Sequence, residues 1–497
     1  MSEGRPSRDW SPWMWFAVTM LVFLPALSGE FLNWDDPQWI TGNPWVAGEG
    51  EGAWGAIWSK PYGGSYYPLY LSVLRLLWAL GGEAWPFHLA GVLLFAAGAA
   101  LWHEILRKLG IGRWGRALGV VWFALHPLRV ESVVWASALR DTLSLAGLLL
   151  ALNWYLGDRA RWRAIGAPLA FAAAVLCKSM LFALAPLPLL LDVLWRGRPW
   201  LESLRRSAAL LVVGVAGAVA AYIAYEPVAQ QNAYPAGTLG ASLPVIGLIQ
   251  LRYLRLQLVP HDLAAVPSAP SPSICGWIVL ALLLAGLAAA VAAAVRGRRK
   301  PLVLAAWYLL PTLPVCGLLP LAWPVADRYT LLPSLAVALT LAWAVSAPQL
   351  ARAALPLTVA AALVWTPWSV LHTRHWHDSE TLWRHSLSHF PDEFVSHQNL
   401  AGELGRQERW EECIEHLRTA LLLAEGQPGR IADLVAHVLF ADLVRADAPL
   451  PTVEHYVDRY RDGQEDPAAL RRLADALERK GLRDSVEVLR ARAEDLP

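Results

Sequence analysis

The sequence predicts an all-α polytopic membrane protein, with about 11 transmembrane helices and then a soluble helical tail. Three observations carry this. Of 497 residues, 56% are hydrophobic and only 17% are charged, a balance suited to lipid rather than water. Apolar stretches alternate with short loops rich in Arg and Lys. From about His372 onward the composition turns polar, and apolar residues recur at helical spacing. The formal net charge of +1 supplies no basic face, which excludes a nucleic-acid partner. The four cysteines, Cys177, Cys275, Cys316 and Cys413, are scattered and outline neither a disulfide framework nor a metal site.

Arg5 and Arg8 precede the first apolar stretch, Pro12 to Leu27, and stay in the cytoplasm, so the loop that follows lies outside. Ala26-Leu27-Ser28 resembles a signal-peptidase site, and cleavage there would leave that loop outside as well. Basic loops at Arg107–Arg116, Arg159–Arg163, Arg196–Arg206 and Arg296–Lys300 then read as cytoplasmic. Between them lie Pro86–Leu106, Ala117–Leu125, Thr142–Leu156, Ile165–Leu194, Ala208–Tyr225 and Ile274–Val295, and after them Leu302–Leu321, Leu331–Val345 and Ala354–Leu371. Several are shorter than the roughly 20 residues a straight span needs, which predicts broken or tilted helices. Ile165–Leu194 must hold a return pair, because both of its flanks are basic. Val245–Val259 carries Arg252 and Arg255 and reads as an interfacial helix on the outer side, as does Tyr66–Leu80. An odd number of crossings sends the C-terminus outside. Arg outnumbers Lys and Ala is abundant, as in GC-rich bacterial genomes, which makes the expected location a bacterial inner membrane and the outer compartment the periplasm.

The expected division is a membrane domain over 1–371, with its first outer loop at 29–85, a junction at 372–390, and helical repeats over 391–497. The stretch PDEFVSHQNLAGELGRQERWEECIEHLRTALLLAEG resembles one tetratricopeptide repeat, with small residues Ala401, Cys413 and Ala420 where paired helices approach closely. Glu408 stands where such a repeat usually has a turn glycine. Two further pairs, near Arg430–Tyr460 and Asp466–Ala493, read as degenerate copies. His372, His375 and His377, with His385 and His389, lack the closed ligand set of a zinc site and are expected to be solvated. No metal is assigned.

The outer loops gather charge that an apolar chain keeps only for a purpose: Asp35, Asp36, Arg129, Glu131, Arg140, Asp141, Lys178, Asp262, Asp327 and Arg328. Taken singly, Arg140 with Asp141 and Asp327 with Arg328 read as neighbours satisfying each other at helix ends. Taken together, the set reads as the lining of a polar cavity for an anionic ligand.

The motifs FLNWDDPQWITGNP, SYYPLYLSVLRLLWALGGEAWPFHLAGVLL, FALHPLRVESVVWASALRDTLS, LCKSMLFALAPLPLLLD, VADRYTLLPS and WHDSETLWRHSLSHFP fall in an order that resembles the GT-C glycosyltransferases, in the protein O-mannosyltransferase-like branch that carries tetratricopeptide repeats. Many relatives carry Arg where this chain has Tyr67, and a tyrosine is common where it has Leu332. The resemblance implies inverting transfer of mannose or a similar hexose from a polyprenyl-phosphate carrier to a hydroxyl, either protein Ser or Thr delivered by the repeats, or a lipid or glycan. It implies Asp35 or Asp36 as general base, and Arg328, Lys178, Arg140 and Arg129 as ligands of the donor phosphate. Glu131, Asp141 and Asp327 would bind the sugar or orient those cations. A divalent cation is the one cofactor left open, and membrane lipids are the remaining partners. A non-catalytic membrane scaffold or a transporter stands as the alternative of another class; carboxylates in outer loops rather than in a midplane helix favour the enzyme.

Overall fold

The computed structural model describes residues 11–423, apart from 49, 51, 230–233 and 322, together with 475, 478 and 490. The two degenerate repeat pairs expected in the tail fall almost wholly outside these. Among the described residues the protein is all-α, with no strand. The chain divides into two compact units, Met1–Asp378 and Ser379–Pro497, and the division falls inside the expected 372–390 junction.

The first unit runs through α1 (Ser11–Phe23), α2 (Ala53–Ser59), α3 (Pro68–Trp78), α4 (Trp85–Lys108), α5 (Arg113–Ala124), α6 (Val130–Val134), α7 (Leu139–Tyr155) and α8 (Ala167–Cys177). It continues through α9 (Leu187–Leu190), α10 (Trp200–Ala229), α11 (Leu239–Leu258), α12 (Ile274–Val295), α13 (Lys300–Thr312), α14 (Pro333–Ala344) and α15 (Ala351–Thr373). Five segments are long and apolar enough to cross a membrane: Ser11–Ser28, Trp85–Lys108, Trp200–Pro227, Ile274–Val295 and Ala351–Trp376. A sixth arises if Arg113–Ala124 and Pro127–Val134, bent by 53°, count as one span. The expected eleven crossings are therefore not reached by helices of spanning length. Other expected spans fall on shorter apolar helices, among them Trp162–Cys177, Ser179–Trp195, Lys300–Val315 and Pro333–Ala344. Helix α12 shows what surrounds the unit, since Ile274, Leu282 and Leu284 are exposed and only Gly276 and Ala290 are buried. So apolar an outer face requires hydrocarbon.

The breaks have local causes. Pro127 cannot continue α5, and His126 before it is extended, its Nδ1 accepting the Leu128 amide at 3.2 Å. In the expected return pair, the helix ends at Cys177 and Lys178 is extended before the chain resumes at Ser179. Both breaks carry functional candidates to one end of the unit. The basic loops meet at the other, where Lys108 Nζ donates to Asn153 O at 2.7 Å and Arg196 to Leu156 O at 2.8 Å. There Lys300 Nζ also lies 4.6 Å from the Trp195 ring, and fully buried Asp192 accepts from Arg206 Nε and Tyr155 Oη, each at 2.9 Å.

The second unit begins with α16 (Ser379–His389), α17 (Phe394–Arg406) and α18 (Trp410–Leu423). Leu400, Ala401 and Leu404 of α17 and Cys413, Ile414, Leu417 and Ala420 of α18 are all buried, as an antiparallel helix pair requires. Glu408 between them has φ 61°, the left-handed conformation that a turn glycine would adopt without strain. In the first unit, His372 is buried rather than solvated, with its ring 5.7 Å from that of His375, while His377 is exposed.

Helices α11 and α12 approach so closely that a Cβ on Gly276 would stand 2.2 Å from Pro244 O, and one on Gly247 2.3 Å from Gly276 O. Such approach is how apolar helices associate where no hydrophobic force drives them together. On α12, Gly286 meets nothing within 4 Å. Gly276→Ala is expected to destabilise the protein by about 1–3 kcal/mol through overpacking. Gly286→Ala should be neutral or stabilising by up to about 1 kcal/mol; thermal unfolding in detergent distinguishes the two.

Candidate active site

Asp36 is wholly buried, and all of its acceptor capacity goes to framework. Oδ2 takes the Leu32 amide at 2.8 Å, and Oδ1 takes the Ser137 amide at 2.9 Å together with a short bond from Ser137 Oγ. Tyr70 Oη donates to the Ser137 carbonyl at 2.9 Å. Ser137 lies in the 3₁₀ turn Ala136–Ala138 that leads into α7, so this knot ties the first loop and α3 to the start of α7. Burial pushes the Asp36 carboxyl up to about 6, with the Asp35 charge adding to it and the Ser137 and Leu32 donors opposing.

Asp35 is different: its side chain is 17% exposed, and among the described residues it bonds only Arg140, at 3.4 Å. Arg140 lies over the Trp39 ring at 5.2 Å and the Tyr70 ring at 6.0 Å. Its neighbour Asp141, in the first turn of α7 where the helix dipole favours a carboxylate, pairs with Lys178 at 2.5 Å. Tyr67 faces Trp39 at 6.2 Å between ring centroids.

Glu131 of α6 receives Arg328 twice, from Nη1 at 2.7 Å and from the backbone amide at 2.8 Å. The Arg328 guanidinium lies 5.2, 5.5 and 5.3 Å from the rings of Trp34, Trp135 and Tyr329, and the two tryptophans stack 4.4 Å apart. Burial works against its charge, but Glu131 more than offsets this and raises its pKa above the usual arginine range. Asp327 instead accepts from Arg252 at 2.9 Å and from the Ala264 amide at 3.2 Å. Arg252 also binds Asp262 at 2.8 Å, which Arg255 holds at 2.7 Å.

The expected neighbour pairs are thus not formed. Arg140 goes to Asp35, Asp141 to Lys178, Asp327 to Arg252 and Arg328 to Glu131, because adjacent residues in a helical turn point in different directions. Sequence reasoning gave Arg252 no role, yet two arginines in an apolar helix are themselves a sign that carboxylates wait nearby. Ser137, Tyr70, Trp34 and Trp135 left no comparable signal.

Asp141, Lys178, Arg328 and Tyr329 form the polar side of one cavity, with Met180, Val315 and Leu331 on its apolar side. Its volume is about 20 Å³, room for about one water-sized group. Arg129 is not part of it: fully buried, it donates to Thr330 O at 3.2 Å, Ser334 Oγ at 3.0 Å and Gln257 Oε1 at 3.3 Å. These bonds brace the Asp327–Thr330 turn.

Over 181 residues the chain is 30% identical to the protein O-mannosyl-transferase Tmtc2 of Drosophila melanogaster, a match that covers 33% of this chain and 19% of that relative. It therefore spans about a fifth of the curated relative's length. No family model matches the chain, and no solved structure matches it.

The Asp36 knot has a pH signature. The folded state holds the Asp36 proton more tightly than the unfolded state, whose carboxyl titrates near 3.8, so this group's contribution to stability falls as pH rises from about 4 to about 6. Relative to Asp36→Ala, the wild-type advantage should shrink across that window by ~3 kcal/mol. Unfolding midpoints measured from pH 4 to 7 check this, and a gap that widens with pH would contradict it.

Proposed function

We propose that this protein is a membrane glycosyltransferase that moves mannose or a similar hexose from a polyprenyl-phosphate donor to a hydroxyl acceptor, with protein Ser or Thr as the favoured acceptor. The observation that carries this reading is the division of labour between the adjacent carboxylates. Asp36 is consumed by framework bonds, whereas Asp35 is partly exposed and held by a single arginine. A hydroxyl is a poor nucleophile until a base receives its proton, and Asp35 is the carboxylate free to do so.

In this reading the acceptor oxygen, losing its proton to Asp35, attacks the anomeric carbon as the bond to the lipid phosphate breaks, with inversion. The departing phosphate gains charge, which Arg328 and Lys178 stabilise at the cavity. Arg140 orients Asp35, while Arg129, committed to Thr330, Ser334 and Gln257, is left out of phosphate binding. Because basic loops favour the cytoplasm, the end bearing Asp35 faces outward, into the periplasm of a bacterial cell. The similarity to an O-mannosyl-transferase supports the reaction class. Helix pairs such as α17 and α18 support a role for the second unit in holding a polypeptide acceptor.

Asp35→Asn should lower sugar release from polyprenyl-phosphate-mannose in membranes by about 10²–10⁴-fold while leaving the unfolding midpoint close to wild type. Asp36→Asn should instead lower the midpoint. Full turnover by Asp35→Asn would remove the base and the mechanism with it.

A further inference from the structure

Three carboxylates were candidates for touching the sugar, and their oxygens are committed to different degrees. Both Glu131 oxygens are taken by Arg328, through its side chain and its amide. Both Asp327 oxygens are taken, one by Arg252 and one by Ala264. Asp141 is the exception: Oδ1 receives Lys178, while Oδ2 is buried with no hydrogen-bond partner among the described residues. Leaving a buried carboxylate oxygen without a donor is costly, and here the residue lines a cavity.

The surroundings restrict what can supply that donor. Lys178 and Arg328 line the same cavity, so an ammonium group would be repelled. Asp141 is the only carboxylate among the cavity residues, which makes a divalent cation, needing several oxygen ligands, a poor occupant. A neutral hydroxyl fits both conditions. We infer that Asp141 Oδ2 accepts a hydrogen bond from a hydroxyl of the donor sugar, while Lys178, held on Oδ1, faces the phosphate that carries it. This rests on the donor reading above and deepens it: Asp141 is the residue that makes the site recognise a glycosyl phosphate rather than a bare lipid phosphate. The pairing with Lys178 sets the carboxylate's angle, so sugar and phosphate are read by the two ends of one ion pair.

The test compares two probes on the full chain in nanodiscs, polyprenyl phosphate and polyprenyl-phosphate-mannose. Wild type should bind the sugar-bearing lipid about ten- to a hundred-fold more tightly, the scale of a buried hydrogen bond to a charged group. Asp141→Asn keeps an acceptor for Lys178 but replaces Oδ2 by a donor. It should abolish that difference, while affinity for polyprenyl phosphate holds or rises because Lys178 has lost its counter-charge. Wild-type protein supplies a second measurement that needs no variant: among donors lacking one sugar hydroxyl at a time, at least one should bind no better than polyprenyl phosphate. The inference is overturned if Asp141→Asn keeps the full preference for the sugar, or if every deoxy donor binds wild type as well as the parent. Wild type binding both lipids equally would sink the inference and leave the donor reading standing; wild type binding neither would sink both.

Discussion

The arrangement of charged groups around the cavity depends on one buried carboxylate, Asp36, closing on Ser137. Three donors converge on it from the first loop and from the turn before α7, and Tyr70 completes the knot by donating to the Ser137 carbonyl. Residues 29–35 have little regular structure with which to orient their side chains, so this tether sets the position of Asp35. Because Ser137 lies three residues before Arg140, the same tether sets the partner of Asp35. A site assembled on a loop becomes as well placed as one built on helices when a satisfied polar network holds the loop's backbone.

Around that knot every cation of the cavity end carries a carboxylate partner. Removing one member of the most deeply buried of these pairs, Arg328–Glu131, is expected to cost about 3–5 kcal/mol, because the survivor is left charged in an apolar setting, whereas the partly exposed Asp35–Arg140 pair is worth far less. The pairs also cross between elements distant in sequence: Arg328 and Glu131 join the Asp327–Thr330 turn to α6, and Asp141 and Lys178 join α7 to the end of α8. Binding groups and fold are therefore held by the same contacts. Arg129 extends this logic without a counter-charge, since a guanidinium spread over carbonyl, hydroxyl and amide acceptors braces the turn that carries Arg328.

Much of this was legible in the sequence. In a chain with 17% charged residues each ionisable side chain in an outer loop stands out, and Arg and Lys asymmetry orders the apolar stretches. What could not be read was which partner each charge would choose. Arg140 beside Asp141 invited a local pair, yet both reach across space, because pairing is decided by helix geometry and by the turns at Lys178 and Ala136–Ala138. Burial was equally hidden: composition does not separate Asp35 from Asp36, nor an Arg129 that braces a turn from a buried Arg328 that lines the cavity. Five or six described helices are long enough to span, and the other expected crossings fall on shorter helices, because apolar composition alone does not reveal where Pro127 or an extended Lys178 interrupts a helix. Glu408 shows the opposite case, an expected turn kept in shape by a residue that bears strain there.

The cross-pairing also determines the distance over which the outer end acts. A surface of unpaired arginines would project a field several ångströms into solution and draw in any polyanion that passed. Here Arg140, Lys178, Arg252 and Arg328 each have a carboxylate within 3.4 Å, and Arg129 is wholly buried. Attraction is therefore confined to contact range, and an anion in the aqueous phase feels little pull until it reaches the cavity itself.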